Sequence, residues 1–444
     1  MPGLAGVAMK DRSRSEHSGK IRFLLRSAAS LASTSVVTSA LGFVFWAVAA
    51  RAFPAADVGE SSTAIAAMSL IAPMALLGFG TLLVAELPTM SEGRGRVVST
   101  AAGLTGLAAG GVALACAFLL PDRFLGLPDI STPGVALIFA AGAATQSMGL
   151  LLDQALLSTT GGGMQLGRNA TQSVVKLALL ILFAFTAVKF GDLAIFTSWL
   201  VANVISIAVV GVLLMRQHGL KLQQVLPTPK ALQGLHFDAI RHHALNTALM
   251  TPYFAMPIVA NSILGPELAA YFFATWSVAS VVFLLPLSLA TALFASSSRD
   301  SRTYLEEVRK TLRYSVLACV VAIAAMVLLG RPVLHIFGPA YSEYGYLPLI
   351  IMCLGGLGLI VKDHHVALAR ITGAVVRESL TVGALSILEL VSAAVGASLG
   401  GLIGLTLGWL AAATLGFAVY GPKVLRAYRG TLDVEDSTPE VGRA

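Results

Sequence analysis

Residues 27–50 read SAASLASTSVVTSALGFVFWAVAA, an uncharged run behind a basic amino-terminal tail. Two readings compete for it. A basic tail, an apolar core and the small residues Ala47 to Ala50 imitate a cleaved signal peptide, but the tail is long and the run exceeds a normal signal core. A helix of about 20 residues, rising 1.5 Å per residue, crosses a ~30 Å hydrocarbon core. The run is therefore read as a first transmembrane helix.

Further apolar steps follow near 62–86, 97–120, 134–157, 171–189, 193–215, 244–264, 268–295, 314–336, 346–369, 379–398 and 401–421. With 56% hydrophobic and 12% charged residues, the chain is too apolar for a soluble globule, whose charged share is about 25%. If the ladder starts inside, only Arg51, Arg123, Lys189 and Arg331 among the 30 lysines and arginines fall outside. The short-loop excess of positive charge sets orientation, so both termini are expected in the cytoplasm. The net charge of +7 is dispersed over loops and tails, which fits contact with membrane lipids rather than nucleic acid.

The longest inward connection, Arg216 to His243, carries Lys221, Lys230, Arg241 and the Pro227/Pro229 pair. It divides the chain into a basic tail (1–26), an N-terminal six-helix lobe (27–215), a cytoplasmic linker (216–243), a C-terminal six-helix lobe (244–421) and a tail (422–444). The halves look related. Helix one runs into Phe53-Pro54-Ala55-Ala56-Asp57 and helix seven into Gly265-Pro266-Glu267-Leu268-Ala269, and the next helix carries Pro73 or Pro286 in nearly the same place. Even-numbered halves give parallel repeats with a substrate path between them. The expected fold is an all-α membrane protein of about twelve helices in two pseudo-symmetric lobes around a central cavity.

Helix seven holds both Pro252 and Pro257. Each proline removes a backbone hydrogen bond, giving either a static kink or a hinge that changes between inward-open and outward-open states. Four charges also fall within the ladder or at its edge. Glu389 lies mid-helix between Leu388 and Leu390. At that depth a carboxylate costs about 2.5–3.5 kcal/mol on insertion scales. It is read as a structural acid, an ion-coupling residue or a substrate contact. Asp153 and Lys176 flank the Gly161-Gly162-Gly163 turn; with the hairpin tip near Met164 they lie 11 residues before and 12 after it, at similar depth, and are read as a pair, structural or lining the cavity. Arg51 sits at a helix end, where long side chains snorkel.

The run Lys362-Asp363-His364-His365 is either loop or the inward third of helix ten. Adjacent histidines point to different helix faces, so a metal site is not expected there. His236, His242 and His243 in the linker lack ligand spacing as well, and Cys116, Cys319 and Cys353 sit singly in separate apolar segments as packing residues. No G-x-x-x-x-G-K-[ST] occurs, and no outward loop is large enough for a glycosyltransferase or polymerase site.

The run Leu41-Gly42-Phe43-Val44-Phe45-Trp46 through Arg51-Ala52-Phe53 to Asp57-Val58-Gly59 resembles the opening helix hairpin of the Wzx-type polysaccharide-repeat flippases. These belong to the multidrug/oligosaccharidyl-lipid/polysaccharide exporter superfamily. Leu152-Asp153-Gln154-Ala155-Leu156, Arg168-Asn169 leading to Lys176, and Phe337-Gly338-Pro339-Ala340-Tyr341 extend the resemblance over about residues 20–425. It implies alternating access in the plasma membrane and flipping of a polyprenyl-pyrophosphate-linked saccharide to the outer leaflet. No cofactor is expected beyond a proton or sodium gradient. The implied partners are the lipid-linked saccharide, membrane lipids, a glycan polymerase and glycosyltransferases. Arg51, Asp153 and Lys176 become substrate-path candidates, Glu389 the ion-coupling candidate, and Pro252 and Pro257 the hinge. A multidrug-type cation-coupled exporter, or an enzyme or scaffold of glycan assembly, is the alternative.

Overall fold

A computed structural model describes residues 38–160, 162–186, 193–219, 221–232, 240–297 and 304–430. Residues 1–37 and 431–444, Lys189 and His236 lie outside these residues, so the amino-terminal tail and the start of the expected first helix (27–37) are not described, while α14 carries the chain into the expected carboxyl tail. Of Arg241, His242 and His243 the helix alone is described.

The N-terminal lobe contains α1 (Thr38–Ala52), α2 (Ala55–Ala75), α3 (Phe79–Glu86), α4 (Arg94–Leu119), the single turn α5 (Asp122–Leu125), α6 (Pro133–Thr160), α7 (Gly163–Phe185) and α8 (Ala194–Gln217). The linker forms α9 (Leu222–Val225) and a 3-10 turn at Pro229–Leu232. The C-terminal lobe contains α10 (Ile240–Leu264), α11 (Pro266–Ser297), α12 (Tyr304–His335), α13 (Pro339–Ile371) and α14 (Val375–Arg429). Among the described residues there is no strand. Among the described residues nine helices are long and apolar enough to cross a membrane, and α2 with α3 makes a tenth, bent span. The protein is a multi-pass membrane protein.

Two breaks explain how this count reaches twelve. The 55-residue α14 is two antiparallel arms, because Gly400 and Gly401 leave helical geometry and Gly401 takes φ 60°, ψ −142°, a region open only to glycine. The arms then meet backbone to backbone: a Cβ on Gly396 would lie 2.0 Å from the Gly404 carbonyl oxygen. In lipid, helices associate by such close packing rather than by a hydrophobic drive, so small residues are required at this seam. The short helix α1 supplies the remaining segment.

The α2–α3 break was hidden in a single expected helix over 62–86. Pro73 withholds an amide, Leu77 takes φ 46° and Gly78 φ 85°, and the two pieces meet at 53°. The freed backbone is tightened by Leu76 N–H donating to Pro73 O and Phe79 N–H to Leu76 O. Helix α13 continues to Ile371, which settles Lys362 to His365 as helical.

Buried side chains of both lobes share one apolar cluster, in which Phe45 and Phe139 join Phe272 and Trp409. Helix α12 lies at the periphery, exposing Leu317, Val321 and Leu328, as suits a face against lipid. The linker is tied to the N-terminal lobe, where Thr228 N–H donates to Thr100 Oγ1 at 2.9 Å.

Candidate functional site

The lobes are joined at the end of the bundle opposite the linker. Arg51 at the end of α1 donates from Nε to the Ile336 carbonyl at 2.9 Å and from a terminal nitrogen to the His335 carbonyl. A guanidinium at the carboxyl end of α12 satisfies orphan carbonyls and complements the helix dipole. Asn261 Nδ2 donates to the Arg123 carbonyl at 2.7 Å. Phe43 meets Phe337 edge-on at 5.0 Å, and Trp46 lies 4.5 Å from Phe273 between ring centroids. Helices α2 and α11 touch so closely that a Cβ on Gly59 would lie 1.8 Å from the Pro266 carbonyl oxygen.

Toward the linker, the lobes part around a cavity of about 210 Å³. It is lined on one side by the α2–α3 break and Gln154, including Pro73, Gly78 and Thr81, and on the other by Asn246, Thr247 and Met250 of α10. Pro252 and Pro257, both buried, lie on α10 between this cavity and Asn261 at the joined end. Any bend of α10 that opens one end and closes the other passes through them.

The buried charges of the N-terminal lobe are Asp153, Arg168 and Lys176. Asp153 does not pair with Lys176 as the hairpin depth implied. Arg168 takes it in a two-pronged bridge, Nε to Oδ1 at 2.7 Å and NH2 to Oδ2 at 2.6 Å, and Asn169 Nδ2 adds a third donor. The physical reason lies in the turn: α6 ends at Thr160 and α7 begins at Gly163, ahead of the expected tip at Met164, so Lys176 lies about 9 Å farther from the turn than Asp153 at 1.5 Å per residue. There its ammonium stands 3.7 Å over the Trp199 ring and 5.2 Å from the Phe45 ring, a cation–π cage without a carboxylate in bonding reach among the described residues. The Trp199 indole N–H is buried and has no acceptor either.

Asp153→Asn is expected to leave Arg168 as an uncompensated buried charge and to destabilise the lobe by about 3–5 kcal/mol, with the Asp153→Leu, Arg168→Met pair recovering most of that loss. Thermal unfolding of the purified protein in detergent measures both.

In the C-terminal lobe, Glu389 on the first arm of α14 accepts from Lys362 of α13 at 2.9 Å and from the Trp409 indole at 3.4 Å. Both ionic side chains are under a tenth exposed, and Asp363 lies beside them, half-buried. Nearer the linker end, Glu378 bridges His365 at 2.7 Å and Lys423 at 3.1 Å. No group of three His, Cys, Asp or Glu side chains among the described residues could hold a metal ion. Sequence reading placed Glu389 correctly in mid-helix but gave it no partner, because Lys362 lies 27 residues away on another helix.

A joined end, a parted end and two lobes of six spans form a known arrangement. The chain has the fold of the MOP-superfamily transporters. It superposes on an inward-facing multidrug resistance MATE family transporter with TM-score 0.67 and 14% identity, covering 89% of this chain and 96% of that one. The outward-facing conformation of such a transporter gives TM-score 0.62 at 15% identity, covering 91% and 96%. The lipid II flippase MurJ in an inward closed conformation gives 0.65 at 13% identity, covering 90% of each chain. No protein-family model matches the chain, and no curated protein does. Likeness at these identities concerns the fold.

Proposed function

We propose that the protein is a secondary transporter that flips a lipid-linked saccharide, carried on a polyprenyl pyrophosphate, across the plasma membrane by alternating access. The linker end faces the cytoplasm, consistent with its basic residues. The described conformation is then open inward and sealed outward by α1, α2, α10 and α11.

One observation carries the choice of substrate. In the C-terminal lobe Lys362 and Glu389 pair with each other with Asp363 beside them, while in the N-terminal lobe Arg168 takes Asp153 and Lys176 has no carboxylate partner among the described residues. A lone ammonium inside the N-terminal lobe suits an anionic head such as a diphosphate, and suits cationic drugs poorly. A saccharide passes through the wet space between the lobes while its lipid tail stays in the bilayer. Asp153 holds Arg168 and shapes the path rather than touching the substrate. A proton or sodium gradient drives the cycle, with Glu389 as the coupling residue whenever Lys362 releases it. A polymerase and glycosyltransferases acting on the same lipid-linked units are the expected partners.

The multidrug reading rests on the likeness to the MATE transporters. Proteoliposomes separate the two. Flipping of a fluorescent lipid-linked saccharide, slowed about tenfold or more by Lys176→Ala through loss of a charge-assisted contact and retained by Lys176→Arg, supports the flippase. Efflux of cationic dyes without any saccharide flipping overturns it.

A further inference from the structure

Helix α1 touches both the far lobe and the lone buried ammonium. Phe43 and Trp46 are three residues apart and meet Phe337 and Phe273 of the C-terminal lobe, and Arg51 holds the end of α12. Phe45, turned about 100° from Trp46, is fully buried on a neighbouring face and covers Lys176 together with Trp199. The rings are continuous: Trp46 lies 6.4 Å from Trp199, and Phe45 lies 5.7 Å from it. Thus the surface that seals one end of the molecule and the surface that covers the cation are two faces of one 15-residue helix.

We propose that Lys176 is a gated anion-binding group, occluded by α1 while α1 is latched to the C-terminal lobe and uncovered when the latch at Arg51, Phe43 and Trp46 lets go. This deepens the flippase reading and rests on it for the identity of the anion. An ammonium in an aromatic cage is stable enough to remain buried yet keeps all three of its N–H donors. A phosphate that reaches it gains charge-assisted hydrogen bonds that the rings cannot offer. The orphaned Trp199 N–H is a further donor beside it. In the latched state the ammonium is withheld, and release of α1 supplies the site when the far end opens. Coupling of this kind needs only one element with two packings that both sites bias.

The test is reductive methylation of lysines in the full-length protein, followed by mass spectrometry, with Lys362 as the buried reference inside the same molecule. Arg51→Ala removes charged hydrogen bonds, and the Lys176 methylation rate is expected to rise about tenfold, while Lys362 stays protected. Phe43→Ala is expected to act in the same direction through the ring contact, and Arg51→Lys to act less. Inorganic pyrophosphate is expected to slow methylation of Lys176 in Arg51→Ala, with chloride at matched ionic strength doing so less. An unchanged Lys176 rate in both variants overturns the gate. So does a parallel rise at Lys362, which marks general loosening, and lack of protection by pyrophosphate overturns the anion site. Methylation needs no transport, so a gate that behaves as stated in a protein that flips no lipid-linked saccharide removes the substrate assignment and leaves the gate standing.

Discussion

Lys362→Met is expected to destabilise the C-terminal lobe by about 3–5 kcal/mol, since Glu389 loses its only ionic partner among the described residues while buried. The Trp409 N–H at 3.4 Å is a long, neutral contact and cannot replace an ammonium at 2.9 Å. Adding Glu389→Leu to Lys362→Met is expected to restore most of the loss, because a well-packed apolar pair avoids the desolvation that two ions suffer. The thermal midpoints of wild type, both single variants and the double variant form the measurement. The same cycle read in a transport assay separates structure from coupling. A stable double variant that still flips substrate makes the pair structural, whereas a stable double variant that fails to use an ion gradient places coupling at Glu389.

Gly59→Val is expected to stop transport almost completely. A Cβ at this position would sit 1.8 Å from the Pro266 carbonyl oxygen and 3.1 Å from the Ala270 nitrogen. Both are main chain and cannot rotate away. The substitution therefore forbids the joined end from closing and not merely its best packing. Overpacking of about 1–3 kcal/mol or more against the closed state shifts a two-state equilibrium by one to two orders of magnitude. Purified Gly59→Val is expected to remain folded but to trap the outward-open state, in which the cavity lined by Thr81 and Met250 is narrowed. Accessibility of a cysteine placed at Met250 measures this, and wild-type accessibility there with full transport would contradict the role given to the α2–α11 contact.

Much of the fold could be read from local chemistry. The division of the last apolar stretch into spans 379–398 and 401–421 falls at Gly400-Gly401, where Gly401 adopts a φ 60°, ψ −142° geometry open only to glycine. The break after Pro73 was less legible. Its residues were visible, but a proline in a membrane helix signals anything from a mild kink to a full stop, and the 53° bend depends on the neighbours that accommodate it.

The charges show a sharper boundary. That Asp153, Lys176 and Glu389 must face protein interior followed from their depth, and all three are buried. Their partners did not follow. Asp153 went to Arg168 because the turn falls between Thr160 and Gly163 rather than at Met164, and end positions are what such patterns determine least well. Arg51 illustrates a different limit. Its acceptors are carbonyls of His335 and Ile336, and main-chain acceptors carry no sequence signature at a distance of nearly 300 residues. The aromatic cage of Lys176 likewise draws Phe45 and Trp199 from two separate helices, so neither ring announced a cation in its own neighbourhood.

Alternating access requires the two ends of the bundle to move in opposition, and paired distance measurements test this most directly. Spin labels at Thr81 and Met250 report the linker-end cavity, and labels at Arg123 and Ser262 report the joined end, each pair introduced separately into protein in nanodiscs. On adding a lipid-linked saccharide, the first distance is expected to shorten in the same fraction of molecules in which the second lengthens. A single unchanging distance at both ends, or both ends widening together, would contradict a transporter that opens one face at a time.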